Sequence, residues 1–296
     1  MRKYIKFFVR LTVTFLLLLY LFKKIDFSHI LSSLVLINPF VFFFASFLYL
    51  LSSYLSTLRW RLFIPQNEFS LSNLFSLYLI GSFFNNVLPG IIGGDVVKIF
   101  MIKDKTGIKK ALASVFMERY TGLFALLLIG FTFFCLFYTT LPKDMIIWSV
   151  PVSFLLFILG SIFLLLTGKI KFFKEIHDYI FSFGKKQIIQ ALIYSLFIQF
   201  IVILSVYIIF LGLSLPVSFF EVAIFLPIII LISLLPLSVS GIGVREWCFI
   251  LFFGNSLGHA NVVAVSFLWF LSQVFASLFG GLEYLRVKKF LNIKKE

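Results

Sequence analysis

Long apolar runs separated by short basic segments dominate this chain. A helix needs about 20 consecutive apolar residues to cross the hydrocarbon core of a bilayer. The first run has basic flanks, as a signal peptide does, but no small-residue cleavage site follows it, so we interpret it as a membrane helix. In all, the apolar runs predict eight helical segments, at residues 7–22, 39–58, 69–94, 120–141, 145–167, 188–212, 219–242 and 261–282.

Two of these runs end in residues that interrupt a helix. Residues 85–95 read NNVLPGIIGGD, and residues 235–246 read LPLSVSGIGVRE. Proline followed closely by paired glycines breaks a helix and frees backbone polar groups. At membrane depth this is tolerated only where the backbone is buried in protein or lines a wet cavity. The candidate hairpin residues are Pro89, Gly90, Gly93, Gly94, Pro236, Ser238, Ser240, Gly241 and Gly243.

The distribution of lysine and arginine indicates how the two breaks are arranged. If each is the tip of a re-entrant hairpin, at 69–103 and 219–254, most of the 26 basic residues fall on one side of the membrane. A full crossing by 69–94 would place the lysine-rich stretch 98–110 outside, against the positive-inside tendency. We therefore predict an all-α, polytopic bundle of about six full spans and two re-entrant broken-helix hairpins. Both termini are expected in the cytoplasm, and the protein in the inner (plasma) membrane.

The two breaks also share a spacing. Taking each proline as zero, both have Gly at plus five, Val at plus eight and a basic residue at plus nine, which is Lys98 in the first and Arg245 in the second. The prolines are almost half of the 296-residue chain apart. Hairpins that enter from opposite faces are typical of inverted-repeat transporters. We predict one membrane domain, 1–296, with repeats at about 1–143 and 144–290; chance similarity is the alternative.

Composition supports the membrane interpretation. The chain is 61% hydrophobic and only 13% charged, whereas a soluble domain is about 45–50% apolar and about 25% charged. The net charge of +14 lies mainly in the short basic segments, which is typical of orientation in a membrane and not of nucleic-acid binding. His29, His177 and His259 are scattered, and Cys135 and Cys248 make no paired motif. We expect no metal and no cofactor.

Six charged residues in or beside the apolar runs, together with Asn86, form the candidate substrate site. A charge at a helix centre costs about 2.5–3.5 kcal/mol, so pairing within a polar cavity is expected. Arginine can grip two phosphate oxygens at once, whereas lysine acts as a point charge. Helix starts after the paired glycines would add partial positive charge. The charged residues, three of each sign, are Asp95, Lys98, Glu118, Arg119, Arg245 and Glu246.

Each candidate has a purely structural alternative. Asp95 follows two glycines at a predicted helix start and could cap that helix. Lys98 could belong to the solvated basic loop. A helix that begins at residue 120 would leave Glu118 and Arg119 at the inner surface, whereas an earlier start would bury them. In the second break, the basic and acidic pair could simply lock the hairpin.

Three motifs resemble the lysylphosphatidylglycerol synthase transmembrane-region family, a flippase-like family. They are Asn86-x-Leu-Pro89-Gly-x-x-Gly93-Gly94-Asp95-x-x-Lys98, then Ser114-x-x-x-Glu118-Arg119-x-x-Gly122, then Pro236-x-Ser238-x-x-Gly241-x-Gly243-x-Arg245-Glu246. The resemblance implies a polytopic fold with re-entrant segments and lipid translocation. Lys98 stands where the family often has arginine. No soluble aminoacyl-transferase domain follows the membrane region, so lysyl-phosphatidylglycerol is not carried over as the substrate.

The function that we predict is a lipid flippase or headgroup translocase without enzymatic activity. Its expected partners are anionic or zwitterionic phospholipids or a polyprenyl-linked substrate, with a partner transferase as a further option. One alternative is a membrane-embedded transferase, or an accessory subunit for one, in lipid-linked glycan synthesis; the short loops offer little room for a nucleotide-sugar donor. Another is a scaffold that binds anionic lipid through Lys103, Lys105, Lys109 and Lys110.

Overall fold

Helices make up almost all of the chain that the computed structural model describes, namely residues 37–65, 69–87, 93–141, 145–166, 174–235, 238 and 241–293. Within these residues there are ten α-helices and no β-strand. The helices are α1 (Pro39–Arg61), α2 (Leu71–Val87), α3 (Gly93–Thr106), α4 (Ile108–Phe137), α5 (Ser149–Leu166), α6 (Lys174–Phe181), α7 (Lys185–Gly212), α8 (Phe219–Leu234), α9 (Val244–Leu257) and α10 (His259–Ile293). The predicted all-α class, a polytopic helical membrane protein, is confirmed.

Four described helices are long and apolar enough to cross a membrane: α1, α4, α7 and α10. Their bounds lie close to the predicted runs, except that α4 begins at Ile108 instead of residue 120 and α10 continues to Ile293 instead of residue 282. Gly107, with φ of 80°, separates α3 from α4, and the lysines that follow it are good helix formers. Glu118 and Arg119 therefore lie inside a helix and not at its start. The predicted run 7–22 lies outside the described residues.

The first predicted break separates two helices that pack closely against each other. A Cβ atom on Gly94 of α3 would lie 1.8 Å from the carbonyl oxygen of Gly81 on α2. The Asn85 side chain of α2 accepts a hydrogen bond from the backbone N–H of Gly94 at 2.8 Å. Residues 81 and 85 thus face the first turn of α3, and the chain reverses its direction between α2 and α3.

The second predicted break also separates two packed helices, α8 and α9. Phe225 of α8 stacks on Phe252 of α9, with ring centroids 5.0 Å apart. Between the helices, Gly241 and Gly243 have φ angles of 77° and 84°, a conformation that costs residues with a Cβ atom roughly 1–2 kcal/mol. The glycines of this break are therefore needed for the backbone path that leads into α9.

Apolar side chains are distributed as expected for a protein in lipid. The largest buried cluster joins α4, α7, α8, α9 and α10 and includes Phe210, Ile224 and Phe249. Large apolar side chains also cover the outer surface, for example Phe43 at 55% and Phe163 at 67% exposure. A water-soluble protein rarely exposes a continuous apolar surface of this kind, so the exposed side chains face the bilayer.

Many basic residues gather at one end of the bundle. Lys105 lies over the ring of Phe69 at 5.0 Å, and the Tyr179 hydroxyl donates to the carbonyl oxygen of Phe63 at 3.1 Å. These contacts join the end of α1, the start of α2, the end of α3 and helix α6. We call this region the basic end, which carries Arg61, Lys103, Lys105, Lys109, Lys110, Lys185 and Lys186.

Candidate functional site

Glu118 on α4 is the centre of a buried group of charged side chains. Its side chain is 2% exposed. It accepts hydrogen bonds from Arg59 Nη2 on α1 at 2.6 Å, from Lys98 Nζ on α3 at 2.9 Å and from the Tyr78 hydroxyl on α2 at 3.2 Å. Charge-assisted bonds are roughly twice as strong as neutral ones. One carboxylate therefore connects four helices.

Asp95 is the second carboxylate of this group. Arg119 donates to it through Nε at 2.9 Å and through Nη2 at 3.1 Å, which makes a bidentate pair. Lys98 Nζ lies 3.2 Å from the same carboxylate, so Lys98 bridges Asp95 and Glu118. The five charged side chains Arg59, Asp95, Lys98, Glu118 and Arg119 form one continuous network, which we call the charge network.

Lys98 is enclosed on every side that the structure describes. It is 3% exposed, and its Nζ lies 4.6 Å from the ring centre of Tyr78 and 5.2 Å from that of Trp60. Gly81 leaves space for the lysine stem, since a Cβ atom there would lie 2.8 Å from Lys98 Cγ. Lys98 is thus part of the buried network and does not belong to a solvated loop.

Arg59 is a member that the sequence analysis missed. It is 4% exposed, and besides Glu118 it donates from Nη1 to the Ser195 hydroxyl on α7 at 2.9 Å. Gly122 on α4 leaves room for it, because a Cβ atom there would lie 2.8 Å from Arg59 Nη1. Its Nε has no hydrogen-bond partner within the described chain.

A cavity of about 300 Å³ lies beside the charge network, inside the bundle. Arg59, Glu118 and Arg119 form its charged wall. Arg119 is 43% exposed at its side chain, and its pair with Asp95 uses Nε and Nη2, which leaves Nη1 available to a ligand. The other polar residues that line this central cavity are Tyr49, Ser52, Tyr78, Gln199, Ser205, Ser272 and Gln273.

The charge network carries an excess of one positive charge. Three cationic side chains, from Arg59, Lys98 and Arg119, share two carboxylates. The sequence analysis counted six charges that sum to zero, because it left out Arg59; the pair of α9, which it included, is itself neutral. Four of the five members are buried, and a net positive charge among buried groups is unfavourable unless an anion or solvent offsets it. The arrangement can therefore hold an anionic group.

Arg245 and Glu246 form a separate, electrically neutral cluster. Arg245 donates to Glu246 Oε1 from Nη2 at 2.6 Å and to the Ser266 hydroxyl at 2.9 Å. Glu246 Oε2 accepts from the backbone N–H of Gly243 at 2.6 Å and so caps α9. The guanidinium lies 5.8 Å from the ring centre of Trp269, which lines the central cavity. The structure thus divides the six predicted charges between two clusters.

The remaining predicted residues have other positions. Asn86 donates to the Ser277 hydroxyl of α10 at 3.0 Å and does not line the central cavity; its neighbour Asn85 faces α3 and caps it through Gly94. Asp95 is therefore not the side chain that caps that N–H.

Ser238 is buried, and its hydroxyl has no partner in the described chain. Four hairpin residues lie outside the described residues: Pro89, Gly90, Pro236 and Ser240.

The described part of the chain contains no cluster of side chains that could hold a metal ion. No group of three or more His, Cys, Asp or Glu side chains occurs there with the spacing that a metal ion needs. Cys135 is exposed and Cys248 is buried, and neither is part of a disulfide. The carboxylates of the charge network are instead engaged by cations.

Comparison with known proteins identifies the family. The family described as "Lysylphosphatidylglycerol synthase TM region" matches residues 7–281. The chain belongs to this family. The match covers both predicted breaks and every member of the charge network, and it confirms the resemblance drawn from the three motifs. Membership of the lysylphosphatidylglycerol synthase TM region family indicates a function related to membrane lipids.

One curated relative of this family member is a UPF0104 membrane protein of Methanocaldococcus jannaschii. The two sequences are 29% identical over 235 residues, which cover 72% of this chain and 97% of the relative. The similarity therefore extends over nearly the whole relative, whose name describes it as a membrane protein. Together with the apolar helices, it identifies this lysylphosphatidylglycerol synthase TM region protein as a multi-pass membrane protein.

Proposed function

We propose that this protein is a lipid flippase, or headgroup translocase, that moves phospholipids or lipid-linked headgroups between the leaflets of the cell membrane. The observation that carries this proposal is the excess positive charge of the charge network beside the central cavity. A phosphodiester has one negative charge and oxygen atoms that match the geometry of a guanidinium. Such a group in the cavity would neutralise the network.

Arg119 is the residue that we assign to phosphate binding. It lines the cavity, and Nη1 is free of the bidentate pair that holds the guanidinium against Asp95. The pair fixes the guanidinium plane, so little side-chain entropy is lost when a phosphate binds. Glu118 in the same wall could contact the amine of a zwitterionic headgroup, which would extend binding from anionic to zwitterionic lipids.

The size of the cavity supports headgroup binding. Its volume of about 300 Å³ lies at the lower limit of small-molecule sites, which run from about 300 to 1,000 Å³. A lipid headgroup fits such a space, whereas two acyl chains do not. The acyl chains would stay in the bilayer while the headgroup passes through the polar interior, which removes the cost of dragging a charge through hydrocarbon.

Both helix pairs contribute to the cavity, which supports alternating access. Tyr78 of the α2–α3 pair lines it, as do Ile230 and Leu234 of the α8–α9 pair. In our proposal the two pairs are re-entrant hairpins that enter from opposite faces, as in inverted-repeat transporters. A small movement of either pair would open the cavity to one leaflet and close it to the other.

Leaflet exchange in reconstituted vesicles tests the proposal. Fluorescent phosphatidylglycerol, phosphatidylethanolamine and a polyprenyl phosphate are offered in turn, and the outer-leaflet fluorescence is quenched chemically. We expect exchange above that of protein-free vesicles for at least one lipid. The Arg119→Gln variant should exchange that lipid at least ~10-fold more slowly, because a charge-assisted hydrogen bond contributes about 1.5–3 kcal/mol.

A matched control separates the site from general charge effects. Lys109→Gln removes one cation from the exposed ion pair with Glu175 at the basic end and should leave the exchange rate unchanged. Arg119→Lys should retain part of the activity, since it keeps the charge but loses the fork. Equal exchange by the wild type and Arg119→Gln, at equal amounts of folded protein, would rule out the assigned role of Arg119.

A further inference from the structure

A second cavity lies at the basic end. It has a volume of about 550 Å³ and is enclosed by the end of α1, the start of α2 and the start of α7. Two cations line it, Arg61 of α1 and Lys186 of α7, and no carboxylate is among its described lining residues. Neither cation takes part in an ion pair within the described chain. We call this space the surface cavity.

The start of α7 strengthens the positive potential of the surface cavity. Lys185 and Lys186 are the first two residues of α7, and the first turn of that helix contains no acidic residue. A helix N-terminus carries a partial positive charge of its own, so lysines there are unfavourable unless an anion is near. Arg61 adds a further positive charge from across the cavity. The helix dipole and the basic side chains thus both favour an anionic ligand.

The surface cavity also offers hydrogen-bond donors and an apolar wall. Gln190 and Tyr194 line it, and so does Gln187, whose Oε1 accepts from the backbone N–H of Gly184 at 2.9 Å and whose amide NH₂ can donate to a ligand. Leu62 and Phe69 form part of its apolar side. A ligand with a phosphate and an attached apolar part matches this lining better than a free anion does.

The surface cavity and the central cavity lie on the same three helices. On α1, Leu58 lines the surface cavity and Arg59 lines the central one. On α2 the corresponding residues are Leu74 and Tyr78, one helical turn apart. On α7 the surface cavity reaches Tyr194, and the next residue is bound by Arg59. Arg59, with its ion pair to Glu118 and its hydrogen bond to Ser195, thus lies where the linings of the two cavities adjoin on α1 and α7.

We propose that the surface cavity binds the phosphate of an anionic membrane lipid and that it loads the central cavity. The first half, phosphate binding between Arg61 and Lys186, stands on the surface cavity alone; the second half rests on the flippase function proposed above. Arg59 separates the two spaces. A phosphate that moves inward takes the place of Glu118 as the partner of Arg59, so the guanidinium exchanges one anion for another and is not left unpaired.

Native mass spectrometry of the purified full-length protein with a short-chain phosphatidylglycerol tests the binding half. We expect two specific binding events in the wild type. Arg61→Gln/Lys186→Gln should weaken one of them by about tenfold or more, since two charge-assisted contacts are lost. Arg119→Gln should weaken the other, so that the two sites are told apart. Phosphatidylcholine and inorganic phosphate are measured in parallel.

A matched double variant provides the control. Lys103→Gln/Lys110→Gln removes the same charge from the basic end, yet neither residue lines the surface cavity or lies on α7, and lipid binding should be kept. Equal weakening in both double variants would overturn the site, because general surface charge would then explain the binding. Displacement of the lipid by inorganic phosphate at equal concentration would overturn the assignment to a lipid.

Leaflet exchange tests the loading half. With limiting lipid, Arg61→Gln/Lys186→Gln should slow exchange several-fold, and excess lipid should restore the rate, because the central cavity is intact. An unchanged rate at limiting lipid in a variant that has lost surface binding would overturn the loading role. That result is distinct from failure of the flippase proposal itself, in which the wild type does not exceed protein-free vesicles.

Discussion

At the scale of single residues, Glu118 holds the charge network together. It binds two cations and a tyrosine hydroxyl, whereas Asp95 is shared by Arg119 and Lys98. Removing one partner of a buried ion pair is costly because the other charge is left without compensation. The cost should therefore depend on which sign is removed from a network that is already positive.

Substitutions of Glu118 and Lys98 change the net charge of the network in opposite directions. Glu118→Gln leaves three cations against one carboxylate and should destabilise the protein by about 3–5 kcal/mol. Lys98→Gln leaves two against two and should cost clearly less. Thermal unfolding of both variants in detergent, at equal pH and salt, measures the difference. Tyr78→Phe, which loses one hydrogen bond, should lower the stability by about 1 kcal/mol. A lower unfolding midpoint for Lys98→Gln than for Glu118→Gln would contradict the charge count.

Arg59 shows the limit of single-residue prediction. It lies two residues before Arg61, at the end of an apolar run, where basic residues are typical of the inner surface of a membrane protein. In the structure Arg61 is exposed and Arg59 is buried, since α1 continues to residue 61 and helical positions two residues apart point to nearly opposite sides. The sequence contains both charges but not the direction in which each one points.

At the scale of elements, close contact between backbones positions the charge network. Gly94 and Gly81 allow α3 to approach α2, and this approach brings Asp95 and Lys98 towards Glu118 and Arg119. On α10, Gly280 makes a similar contact, since a Cβ atom there would lie 1.9 Å from the carbonyl oxygen of Leu79. Small residues are commonly used in this way where membrane helices meet.

Alanine substitutions test this contact. Gly94→Ala would place a methyl group against the backbone of α2, which a side-chain rotation cannot relieve, and should separate the two helices. We expect a large loss of monodisperse protein on size-exclusion chromatography and a lower unfolding midpoint. Gly160→Ala is the control, because nothing lies within 4 Å of its Cβ position. It should be neutral or stabilise the protein by up to about 1 kcal/mol; equal behaviour of the two variants would refute the close approach.

At the scale of the whole molecule, the basic end predicts the orientation in the membrane. Its lysines and arginines predict a cytoplasmic location by the positive-inside rule. The C-terminal end of α10 is expected in the cytoplasm, and α10 is long enough to span the bilayer. The last turn of α9, which directly precedes α10, should therefore lie on the opposite face. The re-entrant arrangement of the α8–α9 pair requires this placement.

Cysteine labelling checks the orientation. In a background without Cys135 and Cys248, single cysteines are introduced by Lys103→Cys and Asn255→Cys. A membrane-impermeant maleimide should label position 255 in intact cells or spheroplasts and position 103 only in inside-out vesicles. The cysteine-free background gives the baseline. Labelling of both positions from the same side would exclude the proposed topology.

The sequence by itself determined that the surrounding solvent is lipid and that the chain is helical. The lengths of the apolar runs predicted helices in a membrane, because a backbone in lipid must satisfy its hydrogen bonds within the helix, and Pro and Gly marked both breaks. The three motifs also indicated the family. The tertiary structure alone decided which charges meet: it added Arg59, kept Arg245 and Glu246 apart, and started α4 early enough to bury Glu118. Those outcomes depend on helix rotation and on backbone approach at glycines, which a linear pattern does not encode.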